Sequence, residues 1–587
     1  MKQTREKMKR RKGAASGMIA VLVGAMLLAT AAIPTASAKL YGDANQDGKI
    51  NMLDATYVKL IIFGKKPSNE LADANWDGRI NVGDVIQIKQ IILGKAHFPG
   101  GTITAAMIFF KDSVDPAYKW TGWYVRKAGI YETLFKNDEN MELTPELATG
   151  YRRVSSTKWR IYLREGVKFH DGTPFNADAV VYSINRVRDP SNSRHNEYDF
   201  IDAIYKSGDY TVTIITKEPY APTIASLSDP VVSIVSPEAD EEDLDTVAVG
   251  TGPFKLVEFE PGMSLSVERN DEYWGGQVKL ESATFEYVSD PQTRAYMLEA
   301  GDVDIARGIP QAEAEIIDDN PNLNVINKET LRTYFMYVNT EKEPLDNVKV
   351  RQAINYAIDR DQIVETALEG VGGVAAKSVF PSIMPWSAND DLEGYPHNQA
   401  KALSLLAEAG ITDTNGDGWL DYKGSTFELS IKTYTKRPEL KPTAEVIEAQ
   451  LEDIGVQASV EIRDTSALKA EVAAGDYDLA LYAWGVAPTG DPDYFLSYHF
   501  HSTGKYAGWT KYSNPEVDRL IEEGRTTFDY DDRWEIYRKA QEQILEDSPE
   551  IFVFYLNELV GLTNEVQGYE IYPNEITFLT GEIYNTA

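Results

Sequence analysis

The sequence predicts an α/β protein carried behind a small all-α module built around two cation loops. Two observations predict it. An acidic loop-and-helix unit recurs thirty residues apart, starting at Asp43 and again at Asp73, and strand patterns alternate with helix patterns from Thr102 to the end of the chain. The 587 residues, 43% of them apolar, hold material for several hydrophobic cores.

Residues 1–38 read as a signal peptide. Lys2, Arg5, Lys7, Lys9, Arg10, Arg11 and Lys12 form a basic stretch, Met18 to Ile33 an apolar run, and Ala36-Ser37-Ala38 a small-residue cleavage site. Cleavage after Ala38 is expected, with the mature chain extracellular or at the cell surface. There is no cysteine, which excludes disulfides and a lipid-bearing amino-terminal cysteine, so a lipoprotein is not expected. A net charge of -33 argues against nucleic acid as a partner.

Residues 39–96 carry the repeat, DANQDGKINMLDATYVKLIIFGK followed by DANWDGRINVGDVIQIKQIILGK. In the first loop Asp43, Asn45, Asp47, the Lys49 carbonyl, Asn51 and Asp54 fall at positions 1, 3, 5, 7, 9 and 12, with Gly48 at the turn. Asp73, Asn75, Asp77, Arg79, Asn81, Asp84 and Gly78 repeat the pattern. Hard oxygen ligands at this spacing suit Ca²⁺, two ions in all. An EF-hand needs a helix before each loop and a Glu at position 12; the expected cleavage after Ala38 leaves only Lys39, Leu40, Tyr41 and Gly42 before the first ligand, and position 12 is Asp in both loops. Tyr57, Leu60, Ile61, Val85, Ile88, Ile91 and Ile92 recur at helical spacing and are expected to pack the two helices together, with Gly64 and Gly94 ending them. The segment from Tyr41 to Lys95 resembles the dockerin family, and that resemblance implies a cohesin-bearing surface protein as partner. Loop positions 10 and 11, where dockerins vary partner choice, hold Met52-Leu53 and Val82-Gly83.

After a Pro/Gly linker at 97–101, strands are expected over Thr102–Phe110, Trp159–Leu163, Tyr210–Ile215 and Tyr477–Ala483, and helices over Val350–Glu365, Gln399–Gly410 and Glu439–Gly455. FHDGTPFNADAVVYS reads as a turn, with Asn176 or Asp178 capping a helix, rather than as a site for a catalytic His170. In GTGPFKL, Gly250 and Gly252 permit tight backbone geometry. Val350, Ala353, Ile354, Ala357 and Ile358 share one helical face, a core pattern.

The strings beginning at Trp159, Val249, Asp290, Val348 and Ala400 resemble, in family order, the extracytoplasmic solute-binding proteins of family 5, the peptide and nickel group of ABC importers. The resemblance implies a two-lobed, periplasmic-binding-protein-like clamp of the large type II class. Lobe I covers 102–339 and 552–587, lobe II covers 340–551, and a cleft between them holds the ligand. It implies an ABC permease as partner, a small-molecule or peptide ligand and no catalysis.

In peptide-binding members an aspartate three residues after a lobe II tryptophan anchors the ligand's amino group. Here WGVAPTGDPDYFL puts Ala487 there and Asp491 farther along. The same loop resembles the nickel branch, where Ni²⁺ is the transported ligand and an arginine-histidine pair faces the chelate, which points to Arg194 and His195. That branch's second arginine is matched by Val231. His499 and His501 are candidate nickel ligands, sharing one face if extended, and Tyr118, Trp120, Trp123 and Trp484 are candidate aromatic contacts. DTNGDGWLD from Asp413 lacks a closing carboxylate at Gly424 and reads as a plain turn. The alternatives are a dockerin-borne polysaccharide-degrading enzyme, which needs paired carboxylates across a cleft, and a surface sensor subunit. No HExxH, GxSxG or P-loop string occurs.

Overall fold

The computed structural model describes residues 42–47, 49–75, 79–93, 100–108, 112–239 and 244–586. The expected signal peptide, Gly48, Asp77, Gly78 and Gly94 lie outside them. The chain divides into two compact units, 1–96 and 97–587.

In the first unit, helices Met52–Ile62 and Val82–Ile92 each begin at an asparagine cap. Asn51 accepts the Leu53 N–H while Asp54 accepts the Asn51 N–H, and Asn81, Gly83 and Asp84 repeat the arrangement. Gly64, at φ 66°, follows the first helix, where a left-handed residue costs glycine nothing. The packing face is narrower than the periodicity suggests. Ala55, Val58, Val85 and Ile88 are buried, Tyr57, Leu60, Ile61 and Ile91 are half-buried, and Ile92 is exposed. Two 11-residue helices cover only one stripe of each other, so the outer edge of an apolar face stays in water.

The second unit is organised by one 11-stranded sheet. From one edge run Gln457–Arg463, Glu428–Tyr434 and Leu479–Gly485, then the two long strands Leu323–Val338 and Glu550–Thr563, then Ile305–Arg307, Thr102–Met107, Ser282–Tyr287, Ser264–Arg269 and Phe254–Glu260. Gly373–Ala375 pairs with Glu550–Thr563 off this path. Glu428–Tyr434 and Gln457–Arg463, joined through helix Leu440–Glu452, pair in parallel, as do Thr102–Met107 and Ser282–Tyr287, which are far apart in the chain. A second sheet of four strands, Ala148–Ser155, Lys158–Leu163, Thr211–Thr216 and Ile201–Gly208, is backed by helix Ala177–Arg188.

The two long strands carry the chain between lobes. Residues 323–329 pair with 557–563 beside the core of Ile103, Phe285, Val560 and Leu562, whereas 333–337 pair with 550–555 inside the core of Phe335, Ile431, Leu481 and Phe552. Their register shifts between Glu329 and Thr333. Packing thus passes from one core to the other within the strand.

One expected helix is divided. The single helix expected over Val350–Glu365 is two, Val348–Ala357 and Arg360–Ala367, because Asp359 caps a new start by accepting the Gln362 N–H at 3.0 Å. The FHDGTP string is a turn, with Asn176 capping the following helix. A Cβ at Gly250 would lie 2.1 Å from the Ile130 carbonyl oxygen, which is why no other residue fits there.

Candidate binding cleft and cation loops

Two cavities open between the lobes. The larger, about 1280 Å³, has one wall from residues 193–229 and the other from 489–526. The smaller, about 240 Å³, lies at the crossing strands, walled by Trp120, Trp123, Tyr124, Trp484 and Tyr494, with Arg332 its only charged residue. Tyr494 borders both, so they form one cleft with an aromatic inner end.

Strand Leu479–Gly485 is buried until Trp484 and Gly485, which emerge at the inner pocket. The chain then turns through Gly490 at φ 74°, and Asp491 accepts the Asp493 N–H at 2.9 Å ahead of helix Asp493–His499, which brings Tyr494, Ser497 and Tyr498 to the cleft. From lobe I, helix Thr121–Lys127 supplies Trp123 and Tyr124. It packs tightly on Pro230–Val232, since a Cβ at Gly122 would lie 2.6 Å from the Pro230 carbonyl oxygen. Trp120 and Trp123 meet edge to face, ring centres 6.1 Å apart.

The buried charges along the cleft are paired within the protein. Arg194 donates to both Asp229 oxygens at 3.2 and 2.6 Å and to Glu197, while its guanidinium lies 4.1 Å over the Trp120 ring. Burial alone would push Arg194 down, but Asp229 and Glu197 outweigh it and hold the group well above its ordinary value. Asp493 accepts from Arg525 at 2.9 Å and, across the cleft, from the Tyr220 hydroxyl at 3.2 Å. Arg332 gives two bonds of 2.8 Å to Glu575, which stands 3.7 Å from Arg307.

Several candidates read from the sequence sit elsewhere. Asp491 borders the cavity, but Arg533 takes both its oxygens at 2.6 and 2.8 Å, so it is a structural ion pair rather than a free ligand anchor. His499 and His501 are not on a strand. His499 ends a helix, fully buried against Phe335, Tyr337 and Phe495, with Nδ1 2.8 Å from Glu550, and burial drives its pKa well down. His501 lies between Thr503 at 2.8 Å and Glu522 at 3.3 Å. The apolar run before it, Tyr494-Phe495-Leu496, favours a helix packed on the core, which overrides the extended reading. His195 donates to the Asn192 carbonyl at 2.8 Å and borders neither cavity, and Tyr118 borders neither. Trp120, Trp123 and Trp484 wall the inner pocket, and Arg194 borders the outer cavity. Sequence reasoning missed Arg332, Tyr220, Tyr494 and Arg525. Arg332 had a readable signal, being a charge inside an aromatic strand, LRTYFMYV.

The first cation loop is already closed. Asp54 accepts from Asn45 N at 3.1 Å and Asn51 N at 2.8 Å, and Asp43 accepts from Asp47 N at 2.9 Å. Burial pushes the Asp54 carboxyl up, and the neighbouring Asp43 and Asp47 carboxylates push it the same way. Such mutual repulsion is what a hard divalent cation relieves. In the second loop Asp84 accepts from Asn75 N at 3.3 Å and Asn81 N at 2.7 Å. In the DTNGDG string Asp413, Asn415 and Asp417 accept loop N–H groups, and Asp421 accepts from Thr414, as in a turn that closes on itself.

Residues 142–507, more than half of the chain, match the family described as bacterial extracellular solute-binding proteins, family 5 Middle. The chain belongs to this family. Residues 41–93 match the dockerin type I domain, a module that generally binds calcium. The oligopeptide-binding protein AppA of Bacillus subtilis is 29% identical over 457 residues, 76% of this chain and 84% of that protein. Heme-binding protein A of Haemophilus influenzae is 31% identical over 457 residues, 73% of this chain and 82% of that protein. Among solved structures, a nickel ABC transporter protein from Bacillus halodurans has a TM-score of 0.70 and 31% identity over 82% of this chain and 99% of its own. A family 5 protein binds its solute and releases it unchanged, so this chain is not an enzyme, and the two-lobed α/β clamp follows from the same membership.

Proposed function

We propose that the chain captures an oligopeptide outside the cytoplasm and presents it to an ABC permease, while its dockerin module tethers it to a cohesin-bearing surface protein. The observation that carries the peptide reading is the cleft. At about 1280 Å³ it exceeds the range of about 300–1,000 Å³ that suits drug-sized molecules, and a wall of tyrosines with internally paired charges fits an extended, mostly neutral chain. The Bacillus subtilis relative, named for oligopeptide binding, supports it. Closure of the lobes around the peptide would form the surface the permease recognises.

A nickel chelate is the second reading, favoured by the Bacillus halodurans structure. Against it, His499 is sealed in the lobe II core and His195 borders neither cavity. Native mass spectrometry of the secreted protein, paired with elemental analysis, tests the two: retained short peptides support the first reading, stoichiometric nickel replaces it with the second.

In the dockerin module Asp43, Asn45, Asp47, the Lys49 carbonyl, Asn51 and Asp54 would hold one Ca²⁺, and Asp73, Asn75, Asp77, the Arg79 carbonyl, Asn81 and Asp84 another. Met52, Leu53 and Val82, at the variable loop positions, are 51%, 63% and 62% exposed, an apolar edge suited to a protein partner. Binding to an immobilised cohesin with calcium and its loss with a chelator is the expected result; binding unaffected by calcium refutes the tether.

A further inference from the structure

We propose that the inner pocket seats an uncharged, ring-bearing side chain of the peptide, so that peptides with a blocked amino terminus are captured as readily as free ones. This rests on the peptide reading and adds the means of recognition. An ammonium group entering the pocket finds no counter-ion. Position 487, three residues after Trp484, is a fully buried alanine. The nearest carboxylates along the chain, Asp491 and Asp493, are held by Arg533 and Arg525. The one charged side chain in the pocket wall, Arg332, has the same sign as an ammonium, and Glu575 already neutralises it.

The rest of the wall is flat and apolar. Trp120, Trp123, Trp484 and Tyr494 offer ring faces and edges around about 240 Å³, less than the range of about 300–1,000 Å³ for a whole drug-sized ligand and in keeping with a single side chain. Among the described residues the buried Trp123 indole N–H has no acceptor, as fits a neutral amide carbonyl arriving with the ligand. Burial of an aromatic ring against such walls needs no charge on the ligand.

The test offers the full-length protein, with calcium present, equal amounts of a randomised short-peptide pool in free and N-acetylated forms, and identifies retained peptides by mass spectrometry. Representative pairs are then titrated calorimetrically. The expected result is recovery of both forms, Kd values within about threefold of each other, and enrichment of Phe, Tyr or Trp at one position. Trp120→Ala, at a residue 41% exposed and therefore safe for folding, should weaken the aromatic peptides by about tenfold. Retention of the free form alone, or a loss of about tenfold or more on acetylation, overturns the proposal and leaves the peptide reading standing. Retention of neither form overturns both.

Discussion

Asp491 is the residue at which a structural role and a ligand-binding role give opposite outcomes. Its carboxylate and the Arg533 guanidinium are each only 7% exposed and are joined by bonds of 2.6 and 2.8 Å. Arg533 also donates to the Gly524 carbonyl at 2.8 Å and lies 5.0 Å from the Trp386 and Tyr537 ring centres. Asp491→Ala strands that guanidinium in a buried site, and breaking one end of a buried pair costs about 3–5 kcal/mol. Adding Arg533→Met removes the stranded charge and should recover most of the loss, since apolar replacement of a whole buried pair is often neutral. Denaturation midpoints followed by tryptophan fluorescence measure this, and calorimetry measures peptide affinity of whatever remains folded. A D491A protein that unfolds at the wild-type midpoint yet binds peptide at least about tenfold more weakly would refute the reasoning, because Asp491 would then be acting on the ligand.

Three further expectations concern pH and calcium. His170 donates from Nε2 to the Gly252 carbonyl at 3.0 Å and accepts the Gly250 N–H at Nδ1 at 3.3 Å, and burial pushes its pKa from 6.5 down to about 4. The unfolded chain therefore takes up the proton first, and up to about 3 kcal/mol of stability is lost as pH falls from about 6.5 through 4; melting curves of His170→Gln should lack that slope. Glu575 is pushed up by burial, but Arg332, Arg307 and Arg437 outweigh this and hold it far below the ordinary range. Its contribution is present above about pH 4.5 and fades below, so the stability gap to Glu575→Gln should narrow on acidification, and a widening gap contradicts the pairing. Chelating calcium should abolish the helical signal of the dockerin module, because two 11-residue helices do not persist alone, while calorimetry shows the melting of the 97–587 unit unchanged.

The legible parts of the molecule were those set by local chemistry. The two loops announced themselves through ligand spacing, and the Asn176 cap and the Gly250 close approach through residue type. The cleft was legible only at its aromatic walls. What decides Asp491 is Arg533, forty-two positions away on helix Tyr530–Asp547, and no local pattern reports such a partner. His499 was misplaced because two histidines at alternate positions look alike in a strand and at a helix end until the surrounding aromatic core is known.

The same distant pairings explain how an occupied pocket can bear on lobe closure. Arg332 sits within the register shift between Glu329 and Thr333, where the two crossing strands change lobes, and it also walls the inner pocket. Trp120 and Trp123 come from lobe I, Trp484 and Tyr494 from lobe II. A side chain seated there would touch residues from both walls and the crossing point together, contacts that separation of the walls would break. A ligand shifts an equilibrium only by its differential affinity for the two states, and an uncharged ring gripped from both sides supplies that difference without any ion pair. On this argument Trp120→Ala and Trp484→Ala should each reduce closure measured by small-angle scattering at saturating peptide, whereas Lys441→Ala, 61% exposed and bordering neither cavity, should leave it unchanged.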